Sequence, residues 1–534
     1  MLMINFIFEQ TFLSLSLRPQ KVFLLSCLAV VMTASVLSGL LLRFFSPEAA
    51  GSGVPQVKAA YWKEMGQIDL RAGIVKYMAG ALSIGGGTSL GREGPSVFLG
   101  AAVSTNFSGF FGVNRRQRRG PNVIGASSAL AAAFNAPLAA ITFIIEEIIG
   151  DLHSRYLGSV ILASVTGAFV VHAVIGRQPA FKMASVTGVT WNHYLIVPVV
   201  ATVASLVGII FHKLTIGLRP RFQTSRIIPL WARPLAGGLT TWLIGIGIFL
   251  LTGKLGVFSL GYQDLSDALN NNFPWKVAGL LVVGKLVATV VSYASGSCGG
   301  IFAPTLFMGG MSGFFVAGLF SRWVNLSPSD SIILAAVGMT ACLGSVVRAP
   351  LTSVLIVFEM THQFELVPGL MLAILISQGL SHLLTGRLNF YEALLVQDGH
   401  ELHKVKPPLD LRSWQNLPVS AIANYRPVAV HSLSSDELRK AIKKYPYNNF
   451  PFIENGQVNG ILNRDKIKAF LSGEMPLEIW PAAFCYEDET IEEVGNRFLE
   501  CPANILLVRR RDDSNLVGVI TLHDLIRAQA SVEE

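Results

Sequence analysis

The sequence predicts an all-α polytopic membrane protein made of two internally repeated halves with broken helices, followed by a C-terminal α/β pair of small domains. Three observations carry that prediction. Residues 1–397 hold 26 Lys+Arg and 14 Asp+Glu, whereas residues 398–534 hold the remaining 16 and 20. The chain is 51% hydrophobic and 14% charged, with a mean hydropathy of +0.51, against roughly a quarter charged residues in soluble domains. A glycine–proline motif also recurs at a fixed offset within the apolar part. Together these exclude a soluble enzyme, a secreted disulfide scaffold and a disordered chain.

Apolar segments near 22–45, 97–111, 121–149, 157–176, 194–216, 232–252, 275–294, 301–321, 331–347 and 364–386 read as membrane helices. Several are shorter than the ~20 residues of a perpendicular span. The run 22–45 is too long for the apolar core of a signal peptide. Gly85-Gly86-Gly87 and Gly299-Gly300 interrupt the pattern, and broken backbone at membrane depth is tolerated only where protein buries it or it lines a polar cavity. The net charge of +8 resides in loops. Its densest cluster (Arg115, Arg116, Arg118, Arg119) reads as an orientation signal or a lipid-headgroup contact. No basic stretch is interleaved with aromatics, so nucleic acid is not an expected partner. The five cysteines form no CxxC pair and read as reduced thiols, without a metal site.

The halves are visible in the letters. Gly91-Arg-Glu-Gly-Pro95-Ser-Val-Phe-Leu-Gly100 aligns with Gly300-Ile-Phe-Ala-Pro304-Thr-Leu-Phe-Met-Gly309 at an offset of 209. Asn135-Ala-Pro137-Leu with Glu146 aligns with Arg348-Ala-Pro350-Leu and Glu359 at an offset of 213. Short, glycine-broken segments in corresponding places of two halves point to a transporter binding site. The tail repeats too: Asp436-Glu-Leu, Phe450–Ile453 and Gly460-Ile-Leu with Asp465 recur as Thr490–Val494, Ile505–Val508 and Gly518–Thr521 with Asp524. The expected divisions are 1–395 for membrane transport, 396–408 for a linker, and 409–471 and 475–530 for the two tail units.

Three glycine-rich stretches end in proline and run into an apolar helix: Gly51-Ser52-Gly53-Val-Pro55, Gly91-Arg92-Glu93-Gly94-Pro95, and Gly299-Gly300-Ile301-Phe302-Ala-Pro304. Proline suits a first helical turn, where its missing N–H costs nothing. The free amides and positive dipole end of a helix then form an anion site with no full positive charge. Such a site binds and still releases, as conduction requires. The competing reading, glycine packing contacts with proline kinks, does not account for three such motifs, two related by the duplication. No Gly-Lys-Ser/Thr follows, which excludes a phosphate loop. Glu93, in an apolar region, is a functional candidate by default. Ionised, it competes with an anion for the same amides; protonated, it frees them. The alternative is a salt bridge to Arg92. Glu146 and Glu147, adjacent on a helix, point about 100° apart and therefore differ in role. The choices are a proton path for one with packing for the other, or a solvated helix end.

These motifs, with Phe134-Asn-Ala-Pro-Leu through Ile144-Ile-Glu-Glu147, resemble those of the CLC family of chloride channels and proton/chloride exchangers over about residues 22–395, and the tail resembles the paired CBS domains of many members. The resemblance implies a homodimer with one chloride pathway per subunit, needing no cofactor or metal. It implies that Ser52 Oγ, Tyr391 OH and the amides of Ile301 and Phe302 bind the anion. It makes Glu93 the outer gate and Glu147 the inner proton-transfer residue; channel members usually carry an apolar residue there, so Glu147 favours exchange. Ser52 favours chloride over nitrate, and Ser52 with the Gly-Arg-Glu-Gly-Pro form argues against the fluoride branch. A multi-pass protein of a prokaryotic inner membrane, with a cytoplasmic tail, is the implied setting.

There are two departures from the family pattern. Only about 20 residues precede the helix leading to Gly51, where the family usually has a further membrane helix. In the tail, Thr521 and Asp524 have the Ser/Thr-x-x-Asp spacing that contacts an adenine nucleotide's ribose, whereas Asp465 has Leu462 at that place. The tail is therefore either a one-site nucleotide sensor or a structural dimerisation unit. The rivals to exchange are a passive chloride channel of the same fold and a membrane-anchored nucleotide sensor or enzyme. The tail's histidines, however, lack any recognisable nucleophile–base arrangement.

Overall fold

The computed structural model describes residues 2–534 except 152–153, 155, 177–182, 184–185, 187–190, 226, 401–417, 455, 502, 512 and 531–534. The chain divides into two compact units, Met1–Val405 and Lys406–Glu534. Much of the expected linker 396–408 and the start of the expected unit 409–471 lie outside the described residues.

The first unit is helical throughout. Residues 2–16 form one helical stretch: α1 (Leu2–Phe8), a π turn (Glu9–Leu13) and α2 (Ser14–Ser16). Phe12 is buried there and packs its ring 5.0 Å from that of Phe258, so the segment before residue 20 carries a packed helix of its own. Then follow α3 (Gln20–Phe45), α4 (Val54–Lys63), α5 (Leu70–Gly85), α6 (Glu93–Phe110), α7 (Arg119–Phe134), α8 (Pro137–Phe143), α9 (Leu157–Val174) and α10 (His193–Thr224). The second part runs through α11 (Arg233–Thr252), α12 (Tyr262–Leu269), α13 (Trp275–Ala294), α14 (Phe302–Phe320), α15 (Pro328–Val347), α16 (Pro350–Thr361), α17 (Val367–Thr385) and α18 (Phe390–Gln397). Eight helices among the described residues are long and apolar enough to cross a membrane.

The structure corrects the segment reading in two places. The run 121–149 is not one helix. It breaks at Asn135, which takes a left-handed conformation (φ 54°), before Pro137 restarts the chain as α8 and a π turn (Ile144–Ile149) ends it. Helices α5 and α16 lie outside the expected segments, and α16 is a short apolar helix. In α5, Arg71 and Lys76 interrupt the hydropathy; α16 has only 12 residues and carries Glu359 in its last turn.

The two halves are related by a local two-fold axis, legible in bonds between equivalent residues. Gly91 N–H donates to Gly300 O (2.8 Å) and Gly300 N–H donates to Gly91 O (2.6 Å). These are the residues the 209 offset equates. Around α8 and α16, Glu146 accepts from the amides of Leu351 (3.0 Å) and Thr352 (2.9 Å). Reciprocally, Glu359 accepts from Leu138 (2.9 Å) and Ala139 (2.7 Å). Each glutamate, at the C-terminal end of its own helix, caps the N-terminus of the other, where a carboxylate meets free amides and the positive dipole end. Helices α8 and α16 therefore lie antiparallel, and the repeat is inverted about their common axis. Arg348 (φ 58°) repeats the left-handed break of Asn135. Close helix packing repeats as well: a Cβ on Gly125 would strike Gly100 O, and one on Gly338 would strike Gly309 O. Small residues here let backbones touch, the main source of helix association in lipid.

The second unit holds two three-stranded sheets. The first lobe comprises α19 (Ser435–Lys444), β1 (Asn449–Glu454), β2 (Gln457–Asn463), α20 (Arg464–Leu471) and β3 (Ile479–Trp480), in the order β1-β2-β3, all antiparallel. The second comprises β4 (Phe484–Tyr486), α21 (Ile491–Glu500), β5 (Ile505–Arg510), β6 (Asp513–Thr521) and α22 (Leu522–Ala530), with β4 parallel and β6 antiparallel to β5. The lobes share packing, since Ile461 of β2 joins the core of the second lobe. All five cysteines are buried and free, and burial pushes the Cys485 thiol up to about 12.

Candidate anion and proton site

Three broken-helix tips converge in the first unit. Helix α4 starts at Val54 with Pro55 in its first turn, α6 starts at Glu93 with Pro95, and α14 starts at Phe302 with Pro304. Gly51 (φ 80°) and Gly53 (φ 105°) occupy the left-handed region that favours glycine, which turns the chain sharply before α4. The tips interlock: a Cβ on Gly94 would run into the backbone of Ser52, and one on Gly53 would lie 2.7 Å from Gly94 O. Gly91 and Gly300 leave room for a side chain, because a Cβ on either would strike the Glu93 carboxylate. A Cβ on Gly299 would meet the Leu90 side chain.

Glu93 is fully buried. Its Oε1 accepts a 2.5 Å hydrogen bond from the Phe302 amide, the first free N–H of α14. Its Oε2 has no partner among the described residues. The carboxylate thus sits on the very donor expected for the anion. It makes no ion pair with Arg92, whose guanidinium lies 5.6 Å from the Tyr262 ring and whose Nε has no hydrogen-bond partner among the described residues. Ile301, fully buried, is the N-cap of α14. Ser52 Oγ and Tyr391 OH are both buried without a partner among the described residues. An unsatisfied buried hydroxyl costs about 1–3 kcal/mol, so two together suit a site whose ligand supplies the missing bonds. Tyr391 stands next to Ser52 and within electrostatic reach of both Glu93 and Glu147.

Two cavities reach residues that flank these tips, Arg92 in one and Gly51 in the other. One, of about 270 Å³, is lined by Arg92, Tyr262, Gln263 and Asp264. The other, of about 210 Å³, is lined by Gly51, Tyr293, Arg43, Arg219 and Arg233. The three arginines of the second cavity raise the local anion concentration, whereas the first sets its single arginine beside Glu9 and Asp264.

The adjacent glutamates diverge as helical geometry requires. Glu146 caps α16 and also accepts from Thr352 Oγ1 (2.7 Å). Glu147 points inward, where Oε1 meets Lys58 Nζ at 2.8 Å and Oε2 accepts from Asn389 Nδ2 at 2.8 Å. Lys58 also reaches Glu392 Oε1 at 3.4 Å.

Lys58, Lys76, Asn389 and Glu392 escaped the motif reading. Lys76 Nζ donates to the carbonyls of Ala50 (3.3 Å) and Gly51 (3.4 Å), so it ties down the turn that carries Ser52. The rule that singled out Glu93, a charge inside an apolar region, applies equally to both lysines. Two of the clustered arginines have structural work: Arg118 donates to Gln67 Oε1 (2.6 Å) and Arg119 to the Trp62 carbonyl (3.2 Å). In the tail, Thr521 Oγ1 donates to Asp524 Oδ2 at 2.7 Å, a bond within the start of α22. No cluster of metal-ligating residues occurs among the described residues.

Inverted halves, helices long and apolar enough to span a membrane and helix tips meeting at a buried carboxylate define an integral membrane transport protein. Residues 34–382 match the family described as voltage gated chloride channel, and residues 479–531 match the CBS domain. The chain belongs to the CLC family and carries a C-terminal CBS domain. It is 31% identical over 320 residues to the voltage-gated ClC-type chloride channel ClcB of Salmonella typhimurium, covering 60% of this chain and 75% of that one. It is 30% identical over 378 residues to the H(+)/Cl(-) exchange transporter ClcA of Vibrio parahaemolyticus, covering 67% and 78%. In fold it is similar to a slow cyanobacterial Cl-/H+ antiporter (TM-score 0.64, 24% identity, covering 74% of this chain and 92% of that one). It is likewise similar to a eukaryotic CLC transporter (TM-score 0.60, 18% identity, covering 98% and 94%).

Proposed function

We propose that the protein exchanges chloride for protons by secondary active transport. The observation that carries this reading is the pair of buried carboxylates, Glu93 on the Phe302 amide and Glu147 among Lys58 and Asn389, with Tyr391 in reach of both. Chloride is held by Ser52 Oγ and Tyr391 OH, and by the Ile301 and Phe302 amides once Glu93 leaves. Protonation removes the charge of Glu93, weakens its hydrogen bond to the Phe302 amide and lets chloride take its place. Glu147 delivers and collects that proton from the other side. A passive channel has no need of a second buried carboxylate.

The test is a reconstituted vesicle with a chloride gradient and a pH electrode outside. Exchange predicts that chloride running down its gradient drives protons uphill. Chloride movement without proton movement contradicts it.

The reading extends to a homodimer with one pathway per subunit, in a prokaryotic inner membrane with the tail cytoplasmic. The lobe built from α19, β1, β2 and α20 repeats the element order of the matched CBS domain, which supports a CBS pair. Thr521 and Asp524, both partly exposed, suit the ribose of an adenine nucleotide at one regulatory site. Titration of the intact protein with ATP, compared with Thr521→Ala, tests that site; equal binding by both removes it.

A further inference from the structure

Glu147 is sealed from water, its side chain only 3% exposed, whereas Glu392, on the other side of the same ammonium, is 36% exposed. We propose that Glu392 takes protons from water for Glu147 and that Lys58 relays them, an inference that rests on the exchange reading above. Lys58 Nζ lies 2.8 Å from Glu147 Oε1 and 3.4 Å from Glu392 Oε1, so one ammonium bridges a buried carboxylate to a wetted one. Two carboxylates sharing one lysine leave a net charge of −1, and one added proton neutralises the cluster, which burial favours.

The step balances. A proton from water binds Glu392. A Lys58 N–H bond breaks as the Glu147 Oε1–H bond forms, and the Glu392 proton moves to Nζ. The ammonium is restored, Glu392 is again a carboxylate and Glu147 is neutral. Asn389 Nδ2, on the second oxygen of Glu147, fixes the carboxylate's orientation. Other charged groups nearby are already engaged: Arg119 donates to the Trp62 carbonyl, and Glu146 faces away to cap α16. Arg348 lies within electrostatic reach of Glu392 and donates to Ser381 Oγ (2.9 Å).

The plainer role for Glu392 is helix capping. Its Oε2 accepts from the Asn389 amide (3.3 Å), while Asn389 Oδ1 accepts from the Glu392 amide (2.8 Å). Glutamine serves that capping box as glutamate does, so Glu392→Gln keeps the cap and removes the titrating group. The experiment measures the proton-to-chloride ratio in reconstituted vesicles for the wild type, Glu392→Gln, Glu392→Asp and Lys58→Arg. The proposal expects Glu392→Gln to lower the ratio by about tenfold or more, and Glu392→Asp to restore part of it. Lys58→Arg keeps the charge but holds its proton, and is expected to fall likewise. A wild-type ratio in Glu392→Gln, or in Lys58→Arg, overturns the relay while leaving exchange standing. A wild type that moves chloride without protons overturns both.

Discussion

Two buried glutamates of the first unit, which the exchange proposal sets on one pathway, are held by opposite means. Glu93 rests on one backbone amide, with its second oxygen unpartnered among the described residues. Glu147 is gripped on both oxygens, by a lysine and an asparagine. A neutral donor holds a carboxylate only while it is ionised and lets it swing out once protonated. A buried ion pair resists removal, since breaking one partner leaves the other uncompensated. On the exchange proposal, the difference separates a residue that moves from one that passes protons while staying in place.

The comparison breaks most readily at the outer residue. Glu93→Gln removes the charge that competes with chloride, so vesicle chloride efflux is expected to lose its pH dependence altogether; persisting pH gating would assign the gate elsewhere. At the inner residue, Glu147→Ala is expected to abolish proton coupling. It also strands Lys58 on a single, weaker partner and destabilises the protein by up to about 3–5 kcal/mol, seen as earlier thermal unfolding in detergent. Unchanged proton transport would remove the inner role. Gly300→Ala places a methyl group against Glu93 Oε1. Displacing the carboxylate is expected to give part of the Glu93→Gln behaviour, at about 1–3 kcal/mol of overpacking; normal pH gating would show that the seat tolerates the methyl.

The smallest effects belong to the reciprocal caps. Glu146→Gln and Glu359→Gln each weaken a charge-assisted cap, worth about 0.5–2 kcal/mol. Glu359, the more buried, is expected to lose more, and both variants keep a wild-type proton-to-chloride ratio. A fallen ratio in Glu146→Gln would mean that the adjacent glutamates share one role.

Much of this was legible in the letters because the chemistry is backbone chemistry. Glycine and proline at helix tips leave a spacing signal, and the duplication repeats it, so the three tips and Glu93 stood out from the residues alone, whereas Ser52 and Phe302 were named through the family resemblance. The inversion was not legible. It lies in which amide meets which carboxylate, and only the folded chain brings Glu146 to Thr352 and Glu359 to Ala139. Lys58 and Glu392 were hidden for a similar reason. They stand 334 positions apart, so the letters could mark Lys58 as a charge in an apolar region but could not pair it with Glu392. Helix α5 escaped because Lys76 satisfies its charge on carbonyls inside the protein, where hydropathy counts it as a solvent residue.

The central claim is that Glu93 occupies an anion's place on the Phe302 amide, and bromide makes the claim directly visible. Crystals of the wild type and of Glu93→Gln grown in bromide are compared by anomalous diffraction. The account predicts a peak between Ser52 Oγ and Tyr391 OH in both, and a second peak at the Phe302 amide in Glu93→Gln alone. Identical peaks in the two, or none at that amide in the variant, would contradict it.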